Sequence, residues 1–331
     1  MKKILFLMPN SNIGSPAYER TNAFCDFYIK QNFEVYKKPY PASLFQLFLL
    51  VCMIYSKGID CIFVSQPPFK YSIIFAIPFL KKIIDYRDGW SIAIKDGYGG
   101  LVKPNIVKSL IAKYIELFCI KNSVLTITCT PGLHKYLSSI CSNKTPILLI
   151  PNGISQSRYD LIKSISENSV EKKSTVLKFY CAGKFSEYGV KRAKNIINLI
   201  RERYSSNKIE INLIGSDYSS NKWIEDLVDD NFKFNFFNRM NKNELYTELN
   251  KADIFLTVVR DEQYELGTKV YEYIAFGKPV FNYFSGVNQF VEYFDGAFDV
   301  NNVNDFLEKE IIRENLININ RKNLLDIGVF R

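Results

Sequence analysis

The chain has 331 residues, 47% hydrophobic and 15% aromatic, which supplies apolar material for two cored domains and excludes a disordered chain. Its net charge of +9 is uneven: residues 1–165 carry +11 and the remainder −2, which suits an anionic partner, either a phospholipid surface or a phosphate-bearing substrate. Nucleic acid is disfavoured, because zinc-finger, RNP and basic-heptad patterns are missing.

Ile4 to Met8 reads as a buried strand, too short for a secretory core, followed by a polar loop with Gly14 and a helix from Tyr18 to Gln31. Strand Phe33–Tyr36, the apolar helix Leu44–Tyr55, strand Cys61–Ser65, helix Tyr71–Leu80 and strand Ile83–Tyr86 come next. Helix Ile106–Lys121, strand Leu125–Cys129, helix Pro131–Ser139 and strand Ile147–Ile150 end the first series, and 160–174 reads as a linker. The second series starts with strand Val176–Ala182. It continues through helix Ala193–Tyr204, strand Glu210–Ile214, helix Trp223–Val228, strand Phe232–Phe236, helix Lys242–Asn250 and strand Ile254–Val259. A short helix, Lys269 to Phe276, with Thr268 as N-cap and Gly277 as stop, then runs into a strand at Val280. A last helix is predicted over Phe306–Leu316.

Repeated β then α predicts an α/β protein of two Rossmann-like, doubly wound parallel-sheet domains, with ligand in the cleft between them at the carboxyl ends of the strands. The domains fall at 1–165 and 170–305, with 306–331 as a helix and tail that crosses back to the first domain. The longest apolar runs fall well short of a membrane span. Seven scattered cysteines without a CxxC pair read as reduced core residues of a cytosolic protein.

His134 is the only histidine, which excludes multi-histidine metal sites, and no Asp-x-Asp pair is present to seat a divalent ion. No metal or other cofactor is expected. A GxGxxG fingerprint follows neither first strand, which weakens dinucleotide oxidoreductases. Gly183-Lys184 directly follows a strand, and Lys191-Arg192 opens the next helix, so these cations converge on a diphosphate or form a solvated lysine cluster. Lys269 and Glu272, three apart, share a helix face fit for a ligand's anionic and hydroxyl groups. Arg87, Asp88 and Trp90 follow a strand end, either as acceptor-site residues or as a pair stabilising their loop.

MPNSNIGSPAYER, IDCIFVSQPP, IIDYRDGW, IPNGI, YCAGKF, LIGSDY and GTKVYEYIAFGKPVF, in this order, resemble the family 4-like glycosyltransferases of the GT-B fold, many of which build bacterial surface polysaccharides such as lipopolysaccharide or capsule. The resemblance implies sugar transfer from a nucleotide-sugar donor to a glycan or polyprenyl-linked acceptor, retaining and metal-independent. It implies Lys184 and either Lys191 or Arg192 on the donor diphosphate, Glu272 on the ribose, and Gly267, Thr268 and Lys269 near the phosphates or sugar. Gly14 would admit a phosphate to backbone amides. Arg87 would bind acceptor or phosphate, and Asp88 would orient a sugar hydroxyl as the carboxylate nearest the chemistry. The family's frequent second glutamate would fall at 264, where this chain has Tyr264, with Glu265 one residue out of register. Two other readings stand beside this one: a non-hydrolysing nucleotide-sugar epimerase, and a silent GT-B subunit that binds nucleotide or partner only.

The helix Leu44–Tyr55 reads either as core or, with Lys37, Lys38, Lys81, Lys82, Lys103 and Lys108, as a surface docking on the anionic inner leaflet of the plasma membrane.

Overall fold

A computed structural model describes residues 1–9, 15–97, 102–141, 145–167, 175–281, 283, 292–294 and 308–326. The chain forms two compact units, one of Met1–Gly97, Pro104–Asn152 and the segment from Arg313, the other chiefly of Gly153–Ile312. The passage between units lies at Asn152-Gly153, within the IPNGI motif, ahead of the boundary read from the sequence.

The first unit holds six parallel strands in the order β2-β1-β3-β4-β5-β6. They are β1 (Lys3–Met8), β2 (Glu34–Pro39), β3 (Cys61–Gln66), β4 (Lys81–Tyr86), β5 (Leu125–Thr128) and β6 (Ile147–Leu149). The central strands are continuous apolar runs, as a sheet covered on both faces requires. Helices Leu44–Lys57 and Ile106–Lys121 and the 3-10 turns Phe69–Ala76 pack into one core with Leu5, Ile62 and Ile84. Helix Pro16–Lys30 and the carboxyl-terminal helices Arg313–Ile319 and Arg321–Asp326 share another, with Ile4, Phe6 and Phe63.

The second unit holds β7 (Val176–Ala182), β8 (Lys208–Ile214), β9 (Phe232–Phe237) and β10 (Ile254–Phe255), all parallel, in the order β10-β7-β8-β9. Val280 bridges Phe255 in parallel beyond β10. The strand order reverses between β7 and β10, which opens a ligand crevice at their carboxyl ends.

Several elements differ from the sequence expectation. The predicted helix Tyr71–Leu80 is instead a 3-10 run ending at Ala76, because Pro78 drives Ile77 into extended backbone. Trp223–Val228 is likewise 3-10, over Lys222–Leu227. Half of the predicted linker is the helix Gln156–Glu167, whose Tyr159 and Ile162 are buried; its polar face had hidden a helical repeat. The predicted strand Ile254–Val259 pairs only over Ile254–Phe255, with Leu256 adding a single bond to the Tyr180 carbonyl. The final helix is broken at Ile312, which bridges Ile154.

The helix Leu44–Lys57 gives only one face to the core. Only Leu50 and Ile54 are buried, and Leu44, Phe45, Phe48, Leu49 and Tyr55 are exposed. Of the cysteines, Cys52 on this helix is exposed and the other six are buried.

Candidate functional site

In the second unit, β7 ends at Ala182 and the chain turns through Gly183, whose φ of +104° favours glycine. The Gly183 amide donates to the Ile214 carbonyl at 2.8 Å, fixing this turn to the end of β8. Glu187 binds the neighbouring loops together. Its carboxylate accepts from the Phe185 and Asp217 amides at 2.9 Å and from Ser216 Oγ at 2.8 Å.

Tyr188 is the centre about which the cations gather. Lys184 Nζ stands 5.7 Å from its ring centroid and the Arg260 guanidinium carbon 5.9 Å. Arg192 Nη1 donates to the Tyr188 carbonyl at 3.4 Å, while its Nη2 lies 3.7 Å from Glu262. Arg192 therefore joins Lys184 at this residue, on its backbone carbonyl and not on its ring. Lys191 is exposed on the same helix, Val190–Arg203.

The short helix Lys269–Ala275 is fastened to the end of β7 by one bond, the Ala182 amide donating to the Tyr273 hydroxyl at 2.8 Å. Tyr273 stacks on Phe255 of β10 at 4.3 Å. Gly267, at φ +67°, leads in; a Cβ there would stand 3.3 Å from Val259 Cγ1. Thr268 does not cap the helix: it already has helical dihedrals and its side chain accepts no capping bond. Nor does the Lys269–Glu272 face lie open. Glu272 is buried, with Oε1 3.2 Å from Arg158 Nη1 and Oε2 2.8 Å from Lys269 Nζ.

In the first unit, Arg87 follows β4 and donates from Nε to Ser65 Oγ at 2.9 Å and from Nη2 to the Pro67 carbonyl. Asp88 beside it is half-buried, and Trp90 stacks on Phe69 at 4.9 Å. Beneath them lies a buried ion pair. Arg20 Nη2 is 2.8 Å from Asp85 Oδ1, Arg20 Nη1 donates to the Pro151 carbonyl at 3.1 Å, and Ser65 Oγ donates to Asp85 Oδ2 at 3.0 Å. Glu116, also buried, accepts from the Trp90 amide at 2.8 Å, and desolvation raises its pKa. His134 contacts the Ile147 carbonyl at 3.2 Å, a structural position. Gly14 lies outside the described residues. Among the described residues no cluster of acidic, histidine or cysteine side chains is placed to hold a metal.

Residues 177–309 match the family described as Glycosyl transferases group 1. The matched stretch falls within the second unit. Over the whole chain the fold is similar to that of HepE from Anabaena in complex with UDP-glucose, with a TM-score of 0.59 at 14% identity, covering 99% of this chain and 96% of that one. It is similar as well to WaaG, a glycosyltransferase involved in lipopolysaccharide biosynthesis, with a TM-score of 0.57 at 14% identity over 95% of this chain and 90% of that one. A third similar structure is sucrose-phosphate synthase from Thermosynechococcus elongatus, with a TM-score of 0.56 at 14% identity and coverages of 99% and 91%. No curated protein sequence matches the chain. The chain thus has the two-unit parallel-sheet fold of these structures, and its second unit holds the group 1 match.

Sequence reasoning missed Tyr188, Arg158, Arg260 and the Arg20–Asp85 pair. Arg260 carried a usable signal, since it follows the predicted strand Ile254–Val259, whose paired part, β10, lies next to β7. Arg158 carried none, because its partner is 114 residues away.

Proposed function

We propose that this chain is a glycosyltransferase that moves a hexosyl group from a nucleoside diphosphate sugar, of the UDP kind named for HepE, to a lipid-linked glycan acceptor. The observation that supports it is the meeting of Lys184 and Arg192 at Tyr188, beside the β7–β10 reversal of a group 1 domain. Cations held there in advance stabilise the charge that builds on a departing diphosphate, the largest electrostatic demand of sugar transfer. Such a site needs no metal. An acceptor hydroxyl oxygen bonds to the anomeric carbon as the bond from that carbon to the phosphate oxygen breaks. The diphosphate takes the electron pair and, on the same face, the acceptor's proton, so the configuration is retained. Arg87 and Asp88 bind the acceptor in this reading, and Glu272 with Lys269 and the Gly267-Thr268 backbone serve the donor's ribose and phosphates.

The test is release of nucleoside diphosphate from a panel of UDP-, GDP- and other nucleotide sugars, with and without chelator. Turnover is expected with one base, unaffected by chelator, and depressed in Lys184→Ala. Full turnover in Lys184→Ala and Arg192→Ala defeats the assignment, and nucleotide binding without any turnover favours the silent subunit.

A membrane-bound acceptor also calls for a docking surface, here on the cytoplasmic leaflet. Helices Leu44–Lys57 and Ile106–Lys121 and the segment between Phe69 and Leu80 lie side by side over one sheet face. They carry thirteen of the twenty-one exposed large apolar side chains among the described residues, including Phe48, Phe79, Ile106 and Tyr114. Phe79 is 99% exposed at a φ of +58°, a backbone conformation that a phenylalanine seldom adopts. The only carboxylate in these three segments, Glu116, is buried, while Lys57, Lys108 and Lys121 are exposed. Apolar area rimmed by cations alone suits an anionic bilayer. Sedimentation with phosphatidylglycerol vesicles, weakened by salt and by Phe45→Gln/Phe48→Gln, is expected; indifference to vesicles sinks this part of the reading.

A further inference from the structure

We propose that Arg260, aimed by Glu265, is a third cationic ligand of the donor's diphosphate, completing with Lys184 and Arg192 a clamp around Tyr188. This rests on the donor-site reading above. Strands β7 and β10 pair with Phe179 opposite Ile254 and Tyr180 opposite Phe255. Lys184 lies two residues beyond the end of β7 and Arg260 five beyond the end of β10, so both follow the carboxyl ends of the two strands that flank the reversal. Both charged groups then stand within 6 Å of one ring centroid, at 5.7 and 5.9 Å. With Arg192 on the Tyr188 carbonyl, three like charges gather around one residue, which costs energy unless anions join them.

The carboxylates nearby do not play that part alike. Glu262 is loosely placed, 3.7 Å from Arg192 and 38% exposed. Glu265 is committed to Arg260: one oxygen accepts the Arg260 amide at 3.1 Å and the other pairs with its guanidinium. Asp261 folds the intervening turn by accepting the Gln263 amide at 2.8 Å on its side chain and the Glu265 amide at 2.8 Å on its carbonyl. A planar guanidinium paired with a carboxylate is held in a fixed orientation, and its fork geometry suits paired phosphate oxygens. In this chain Glu265 is therefore a positioning residue acting through Arg260. The departure at Tyr264 marks a donor site that uses an aimed cation in this turn.

Calorimetric titration of the full chain with UDP and with inorganic pyrophosphate tests this in Arg260→Gln, Arg260→Lys, Glu265→Gln and Lys184→Ala. Arg260→Gln is expected to weaken both probes about tenfold or more and to flatten the salt dependence of binding, with the thermal melt retained. Arg260→Lys recovers part of the loss. Glu265→Gln raises KM for the sugar donor and lowers UDP affinity less than Arg260→Gln does. If Lys184→Ala weakens UDP while a folded Arg260→Gln or Arg260→Lys binds like the parent, the inference is overturned and the donor reading stands. If the parent chain binds neither UDP nor pyrophosphate, both fall. Should Arg260→Gln fail to fold, the charge-retaining Arg260→Lys and Glu265→Gln decide: parental UDP affinity and KM in both overturn the proposal.

Discussion

Arg158, on the helix Gln156–Glu167, reaches Glu272 Oε1 at 3.2 Å and thereby ties the start of the second unit to the helix that carries Lys269. Each oxygen of the buried Glu272 carboxylate has a cation beside it, Arg158 on one and Lys269 on the other. Removing Arg158 leaves half of that carboxylate uncompensated. Arg158→Met is expected to lower the stability of the second unit by about 1–3 kcal/mol, less than a fully buried pair because Arg158 keeps some solvent contact. Urea unfolding followed at Trp223, in an Arg158→Met/Trp90→Phe background, measures it, since each unit has one tryptophan. An unchanged midpoint would show the contact to be idle.

The Arg20–Asp85 pair in the first unit is more deeply placed, with both side chains fully buried. Arg20→Met abandons a buried carboxylate and is expected to cost about 3–5 kcal/mol. Arg20→Met/Asp85→Leu costs less than the sum of the single changes, because no lone charge remains. Urea titration followed at Trp90 in a Trp223→Phe background gives the cycle; strict additivity would contradict a direct pair.

Glu187 gives the second unit an acid limb. Burial works against its ionisation, but the Asp217 and Phe185 amides and the Ser216 hydroxyl outweigh burial and hold its pKa below the ordinary 4.5. A carboxylate whose folded pKa is depressed stabilises above its unfolded pKa and loses that contribution as pH falls through the folded value. Urea midpoints of the second unit should thus decline below about pH 4.5, and Glu187→Gln should flatten the decline. A variant as acid-sensitive as the parent would place the limb elsewhere.

Gly267 combines a φ of +67° with a Val259 methyl 3.3 Å from where a Cβ would lie. Gly267→Ala should cost about 1–2 kcal/mol for the left-handed backbone and lower donor turnover by shifting Lys269. A melting curve and a nucleoside diphosphate release assay read the two effects; parental values in both would leave the turn without a role.

Much of the fold was legible from short-range pattern. Buried runs such as Ile4–Met8 and Ile83–Tyr86 and the helix signal of Ile106–Lys121 depend on neighbours in sequence. Errors fell where the deciding interaction was distant or competing. Tyr71–Leu80 has helical spacing, but Pro78 and packing against the sheet hold it in 3-10 turns. Residues 156–167 are polar on one face, and only burial of Tyr159 and Ile162 against the second core reveals the other. At the donor site, contiguous motifs could name Lys184, Lys191, Arg192, Lys269 and Glu272. They could not choose between Lys191 and Arg192 at Tyr188, nor show that Glu272 is already paired.

By itself the sequence determined the alternation of strands and helices and the two-unit α/β architecture, because hydrophobic period and turn residues act within a few positions of each other. Only the tertiary structure decided which charges meet. Arg158 with Glu272, Arg20 with Asp85, and Lys184 and Arg260 over Tyr188 are pairings between helices, strands and loops that the parallel sheets gather after long crossovers, and a crossover erases the sequence distance between the residues it brings together.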